Sequence, residues 1–358
     1  MTANDSAYWL ALLCSGQVKR QVAKDVIYRW CVGANRALEA LFASSAAELA
    51  PELEINEQQA SQLLAAGREA SAWEETLHAQ AQKGVRLMTR CDPAYPEALT
   101  QRLAEKTLPY YFFYRGHLAL LSEPALAVLG AGQPSEAGRE LAANLGRTLA
   151  QQGYQLIGGY DKGVDRLALD AARAARGQTI ILLPLGMDGF EAPMQALAPA
   201  VEAGNLLLLS PYSPAQSYQP VLGKARLGLI TAWSEALFLI EPEVEPQDWP
   251  DLEALLSAGG RVFLWENGDP ARRLAWLEAG ALPFDTAETA QALLREALGV
   301  EPGMLDEEGD IDSLPGIEPI AFDDADAAIE ALGNYGRVPP EMARRLREQG
   351  RSFDPDID

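Results

Sequence analysis

Histidine and cysteine are scarce in this chain of 358 residues, which holds only His78 and His117 and only Cys14, Cys31 and Cys91. So few ligands without metal-site spacing argue against a histidine-based metal centre or a catalytic triad. The odd cysteine count fits a reducing cytosol rather than a disulfide framework. Long apolar runs are also missing: Ile180 to Leu185 and Leu206 to Leu209 are of strand length, so no membrane span is expected. The N-terminus has no basic segment followed by an apolar core, and a cytoplasmic location is therefore expected. An excess of basic charge is lacking too, the formal net charge being −22. The charge is uneven, because residues 86–240 carry 13 basic and 13 acidic side chains whereas residues 241–358 carry nine against 28. Global charge opposes nucleic-acid binding, but the neutral middle leaves room for a local basic groove.

What is present is the composition of an ordinary globular protein, 48% hydrophobic and 22% charged, long enough for two or three domains. Residues 1–84 read as a helical N-terminal domain. Tyr8, Trp9, Leu12 and Leu13 recur at helical spacing, and Ser45-Ala46-Ala47-Glu48 has the spacing of a capping box. Residues 85–120 read as a connector with a short strand near Val85 to Met88, punctuated by Tyr95-Pro96 and Leu108-Pro109. From 121 to 299, strand-like runs alternate with helical ones, so the fold class expected is α/β, a Rossmann-like, mostly parallel sheet covered on both faces. Leu126–Leu129, Gln155–Ile157 and Thr179–Leu183 are predicted to share that sheet. Residues 300–331 read as an acidic linker, with 11 carboxylates and no Lys or Arg between Glu301 and Glu330. Residues 332–358 read as a short helical segment carrying Arg344, Arg345 and Arg347.

Two glycine clusters stand where an apolar run gives way to a helical pattern, the position at which α/β proteins hold ligands. The first contains Gly130, Gly132, Ser135 and Gly138; the second contains Gly159, Lys162, Gly163 and Asp165. Glycine there lets backbone N–H groups approach a phosphate, and the following helix N-terminus adds partial positive charge. Lys224 and Arg226, supported by Lys162, Arg139 and Arg166, are the candidate phosphate contacts. Tyr160, Tyr212 and Tyr218 are candidates for stacking on bases. Each has a plainer reading as a tight strand–helix turn, a solvated helix face or simple packing. Asp165 reads as a helix cap or loop-orienting group, and Asp161 as a charge that would repel a phosphate.

Taken in order, these landmarks resemble the DNA-processing family known as DprA or Smf. The series runs from Tyr8-Trp9-Leu10-Ala11-Leu12 through Tyr95-Pro96-Glu97-Ala98-Leu99, Leu108-Pro109 and Tyr114-Arg115-Gly116. It continues through Gly130, Ser135 and Gly138, then Gly159, Gly163, Val164 and Asp165, to Gly260-Arg261-Val262-Phe263 and Gly280-Ala281. The resemblance implies a homodimer that binds single-stranded DNA and hands it to a RecA-type recombinase during natural transformation. The lack of a nucleophile–base pair or metal cluster argues separately against an enzyme, and no cofactor is expected. The departures fall on polar positions. The family's Ser-Arg is Ala131-Gly132 here, Gly158 stands for its serine, Asp161 for its small alanine, and Leu169 for its histidine. Its Arg-Asn-Arg becomes Arg226-Leu227-Gly228. An eroded phosphate-binding site is therefore expected. The alternatives are a nucleotide or small-molecule sensor using the same crevice, and a degenerate scaffold acting through protein partners.

The acidic segment gives a prediction of its own. If DNA binds the neutral middle region, the full chain should bind it less tightly than a chain ending near Val300, and the gap should shrink as salt screens the carboxylates. Equal affinities at low salt would assign the segment no inhibitory role.

Overall fold

The computed structural model describes residues 3–298. The acidic segment and the C-terminal arginines lie outside the described residues. The chain divides into two units, Met1–Ala292 and Leu293–Asp358, and the helical bundle and the sheet belong to the first.

Six helices open the chain: α1 (Ala3–Cys14), α2 (Arg20–Ile27), α3 (Leu38–Phe42), α4 (Ala46–Glu52), α5 (Glu57–Gly67) and α6 (Ala70–Gln82). The apolar faces of α1 to α5, with Trp30 of the π-helical turn Tyr28–Gly33, meet in a core containing Trp9, Leu12, Ile27, Leu41 and Leu63, and α6 packs through Ala70 against Ala7 and Ala11 of α1. The expected capping box at Ser45 and Glu48 is formed, and Asn56 with Gln59 makes a second one at the start of α5. Lys24 fastens this bundle to the segment around Leu108. Its buried Nζ donates to Leu108 O at 2.6 Å and to Lys106 O at 2.8 Å, and burial brings its pKa down to about 8.

The remaining elements are β1 (Arg86–Thr89), α7 (Glu97–Arg102), β2 (Tyr111–Gly116), β3 (Ala125–Gly130), α8 (Glu136–Gln151), β4 (Gln155–Gly158), α9 (Val164–Ala174) and β5 (Thr179–Leu182). They continue with α10 (Glu191–Glu202), β6 (Leu206–Ser210), α11 (Pro220–Trp233), β7 (Ala236–Ile240), α12 (Leu252–Ser257), β8 (Arg261–Trp265), α13 (Pro270–Glu278), β9 (Leu282–Phe284) and α14 (Ala287–Ala297), which runs on into the second unit. All nine strands form one sheet in the order β1-β2-β6-β5-β4-β3-β7-β8-β9. From β6 to β9 every pairing is parallel, and the three strands predicted to share a sheet do so. Strands β4, β5, β6 and β7 are buried along their whole length, which is why their sequences are nearly continuous apolar runs rather than alternations.

The stretch expected as a connector does more than connect. It supplies β1 and β2, which pair antiparallel with each other and, through β2, with β6. Strand β2 has no turn signal or alternation to mark it, since Tyr111, Phe112 and Phe113 are all buried. Its pairing is decided by the edge that β6 offers.

The chain crosses from β6 through α11 to β7, so β3 lies between β4 and β7. Strand order reverses at this point, and the loops after β3 and β7 open a crevice between them. Helices α8 and α9, which follow β3 and β4, pack in close contact. A Cβ on Gly146 of α8 would stand 2.3 Å from Ala168 O of α9.

Candidate functional site: a crevice filled by its own carboxylates

Both glycine clusters lie at this crevice. Ala131 N donates to Ile240 O and Ala131 O accepts from Val164 N, each at 3.1 Å, so the first loop is tied to the end of β7 and to the start of α9. Gly163 sits where the loops touch. It has φ of +104°, and an added Cβ would lie 2.2 Å from Ala131 O, a conformation and a closeness that only glycine accommodates. The sequence thus explains the approach of the loops by the residues that have no side chain.

The N–H groups presented by the loops already have anionic partners. Ser135 caps α8, its Oγ accepting from Gly138 N at 3.1 Å. Ser135 N in turn donates to Glu241 Oε2 at 2.9 Å, and its hydroxyl donates to Glu241 Oε1. Gly132 N donates to Glu243 Oε1 at 3.2 Å. A carboxylate therefore occupies the N-terminus of α8, where the helix dipole favours negative charge. Glu241 adopts φ of +49°, a left-handed conformation unusual for a residue with a side chain. On its other side it borders a cavity of about 200 Å³ that Trp265, Arg272 and Arg273 also line.

The second loop is organised in the same way. Gly159 N and Asp161 N donate to Asp165 Oδ2 at 2.8 and 3.1 Å. Asp165 is buried, and its Oδ1 has no hydrogen-bond partner among the described residues. Loss of hydration pushes its pKa up to about 7 despite the opposing charge of Arg226. The loop-orienting reading of Asp165 agrees with this geometry.

Arg226, expected as a phosphate contact, is buried and engaged from within. Its Nη1 donates to Gly159 O at 3.1 Å and to Asp161 Oδ1 at 3.2 Å, and its Nη2 pairs with Asp161 Oδ2. Gly159 makes room for it, because a Cβ there would fall 2.4 Å from the guanidinium carbon. Lys224, two residues earlier on α11, and Lys162, next to Asp161, are exposed. Neither forms an ion pair among the described residues. Arg139 is exposed as well. Arg166 is committed to Asp170 at 3.6 Å and lies over the Tyr160 ring at 4.6 Å.

Of the three tyrosines, Tyr160 is covered by Arg166 and Arg173, and Tyr212 donates to Leu222 O at 3.4 Å. Tyr218 is 58% exposed and leans on the first turn of α11, where a Cβ on Gly223 would meet its hydroxyl at 3.3 Å. Sequence reasoning missed Glu241 and Glu243. The signal available was a pair of acidic residues directly after a buried apolar strand, at the end where ligands bind. Among the described residues no group of three or more His, Cys, Asp or Glu side chains is placed to hold a metal ion, and no helix is long and apolar enough to cross a membrane.

Comparison with known proteins agrees with this architecture. Residues 86–245 match the family model of DNA recombination-mediator protein A. The DNA processing protein DprA of Streptococcus pneumoniae is 26% identical over 172 residues, 48% of this chain and 60% of that protein's length. The chain thus matches less than two thirds of that relative. The X-ray structure of DNA processing protein A from Streptococcus pneumoniae superposes with a TM-score of 0.63 at 19% identity, covering 82% of this chain and 98% of that one. That likeness extends the shared fold beyond the segment matched by sequence. Residues 86–245 thus carry a DNA recombination-mediator protein A region, and over this region the chain is similar to DNA processing protein DprA.

Proposed function

We infer that the chain is a DNA-processing protein that binds single-stranded DNA along the rim of the switch-point crevice, without chemistry on the DNA. The observation that carries this reading is the distribution of partners. Loop N–H groups and the outward edge of Arg226 are engaged by the chain's own carboxylates, whereas Lys162 and Lys224 are exposed. Those lysines offer point charges to a phosphate backbone, and Tyr218 offers a face for stacking. Contacts so few, on a chain of net charge −22, make a weak and salt-sensitive binder. Homodimerisation and delivery to a RecA-type recombinase belong to the same proposal. Sedimentation of the purified chain and co-purification with the recombinase test them.

Fluorescence anisotropy of a labelled oligothymidylate over a salt series tests the binding site. Neutralising Lys162 and Lys224 together should weaken binding and lower the salt slope by about two, roughly one per lost phosphate contact. Unchanged affinity and slope would reject this rim.

The same carboxylates favour a second reading, in which the sealed crevice has left a scaffold that works through protein partners. A purified chain that binds neither DNA in a salt-dependent way nor nucleotide saturably would select it.

A further inference from the structure

We propose that Asp161 is the residue that withholds Arg226 from phosphate, and that it thereby sets how tightly the crevice can hold a nucleic-acid backbone. The proposal rests on the reading of the crevice as a DNA-binding site and names what limits it.

The pair is asymmetric. The Arg226 side chain is 6% exposed, whereas that of Asp161 is 60% exposed. The guanidinium is therefore built into the protein and its carboxylate partner stands at the solvent boundary. Arg226 is held by more than Asp161, since Gly159 O accepts from Nη1 and the absence of a side chain at Gly159 leaves the space that the guanidinium fills. Its Nε is buried and has no hydrogen-bond partner among the described residues. This arginine is thus under-satisfied in its own protein, and Asp161 takes up only its outward edge.

Asp161 meets Nη1 and Nη2 with its two oxygens. This is the fork geometry in which a guanidinium recognises either a carboxylate or a phosphate. The main chain of the loop does not depend on that side chain, because Asp161 N is anchored on Asp165 and Val164 N on Ala131 O. Removing the Asp161 carboxylate should leave the loop in place, with the outward edge of Arg226 open to solvent. One negative charge is lost and one bidentate phosphate contact is gained.

The test uses the full chain with Asp161→Ala and Asp161→Asn, measured against labelled oligothymidylate over a salt series. The alanine variant should bind about tenfold more tightly at low salt, with a salt slope larger by about one, as for one added phosphate contact. Adding Arg226→Gln to it should abolish the gain. No gain in the alanine variant overturns the proposal. So does a gain that survives Arg226→Gln, because a general relief of repulsion would then explain it. A second measurement stands independently of DNA and of whether the double variant folds. Inorganic phosphate titrated into the Asp161→Ala chain should shift the Arg226 guanidinium resonances in nitrogen NMR, while the unaltered chain shows no shift. Absence of a shift in the variant also overturns the proposal. If the phosphate shift is seen but the unaltered chain binds no DNA, the DNA-binding reading fails and the role of Asp161 stands. If the lysine pair behaves as expected but neither Asp161 readout moves, this proposal alone fails.

Discussion

Replacing Gly163 by alanine is expected to lower the stability of the chain by about 3 kcal/mol or more, the range of substitutions that combine a forbidden backbone conformation with a steric clash. At φ of +104° and ψ of −140° the residue lies outside the regions open to L-amino acids. The new methyl would also stand 2.2 Å from Ala131 O and 2.7 Å from the Gly132 Cα. Relief requires the two glycine loops to separate, which would break the bond from Val164 N to Ala131 O at the start of α9. Gly153→Ala is the matched control. It too has a positive φ, +81°, but nothing lies within 4 Å of its hypothetical Cβ, so only the conformational cost of roughly 1 kcal/mol applies. Urea denaturation of both variants checks the difference. Equal losses would show that the contact between the loops contributes nothing to the fold.

The second large effect concerns Asp165. Burial raises its pKa from 3.8 to about 7 in the folded chain, so between these values the native state holds a proton that the unfolded state has released. Stability from this group is fully present below about pH 4 and is lost as pH rises through 7. The asparagine variant keeps an oxygen to accept from Gly159 N and Asp161 N and has no proton to lose. Asp165→Asn should therefore match the unaltered chain near pH 4 and become progressively more stable than it up to about pH 7. Above that the advantage should level off, at no more than about 4 kcal/mol for a shift of this size. Comparing the two chains at each pH removes the contribution of the other carboxylates. A stability difference that stays flat from pH 4 to pH 8 would mean that Asp165 is ionised in the native protein throughout.

The two predictions bear on one feature of the site. Gly163 brings the loops together, and Asp165 gathers the N–H groups of Gly159 and Asp161 onto one oxygen. Both residues shape the crevice and neither offers it an open contact. Together with Glu241 and Glu243, which follow β7 and accept from the first loop, they leave exposed Lys162, Lys224 and Arg139 as groups available to an incoming anion.

Much of this was readable from local pattern, for physical reasons. Hydrophobic periodicity distinguished the helical bundle around Trp9 and Leu12 from the buried strands around Ile180 and Leu207, since period and burial are properties of a few successive residues. The same holds for the capping box at Ser45 and for the positive φ of Gly163, whereas the closeness that excludes a Cβ at Gly130 and Gly163 is set by Ile240 and Ala131 elsewhere in the chain. What only the tertiary structure decided involves residues far apart in the chain. Strand β2 became part of the sheet because β6, more than 90 residues later, offered it an antiparallel edge. Arg226 and Asp161 are 65 positions apart and Ser135 and Glu241 are 106 apart. No spacing rule joins them, and the crossover of α11 that brings them to one crevice is a property of strand order. Composition alone could place carboxylates and cations in the same chain. Whether a given arginine faces solvent or is held by an aspartate depended on where the sheet reverses, because that is where loops from both halves come within hydrogen-bonding distance.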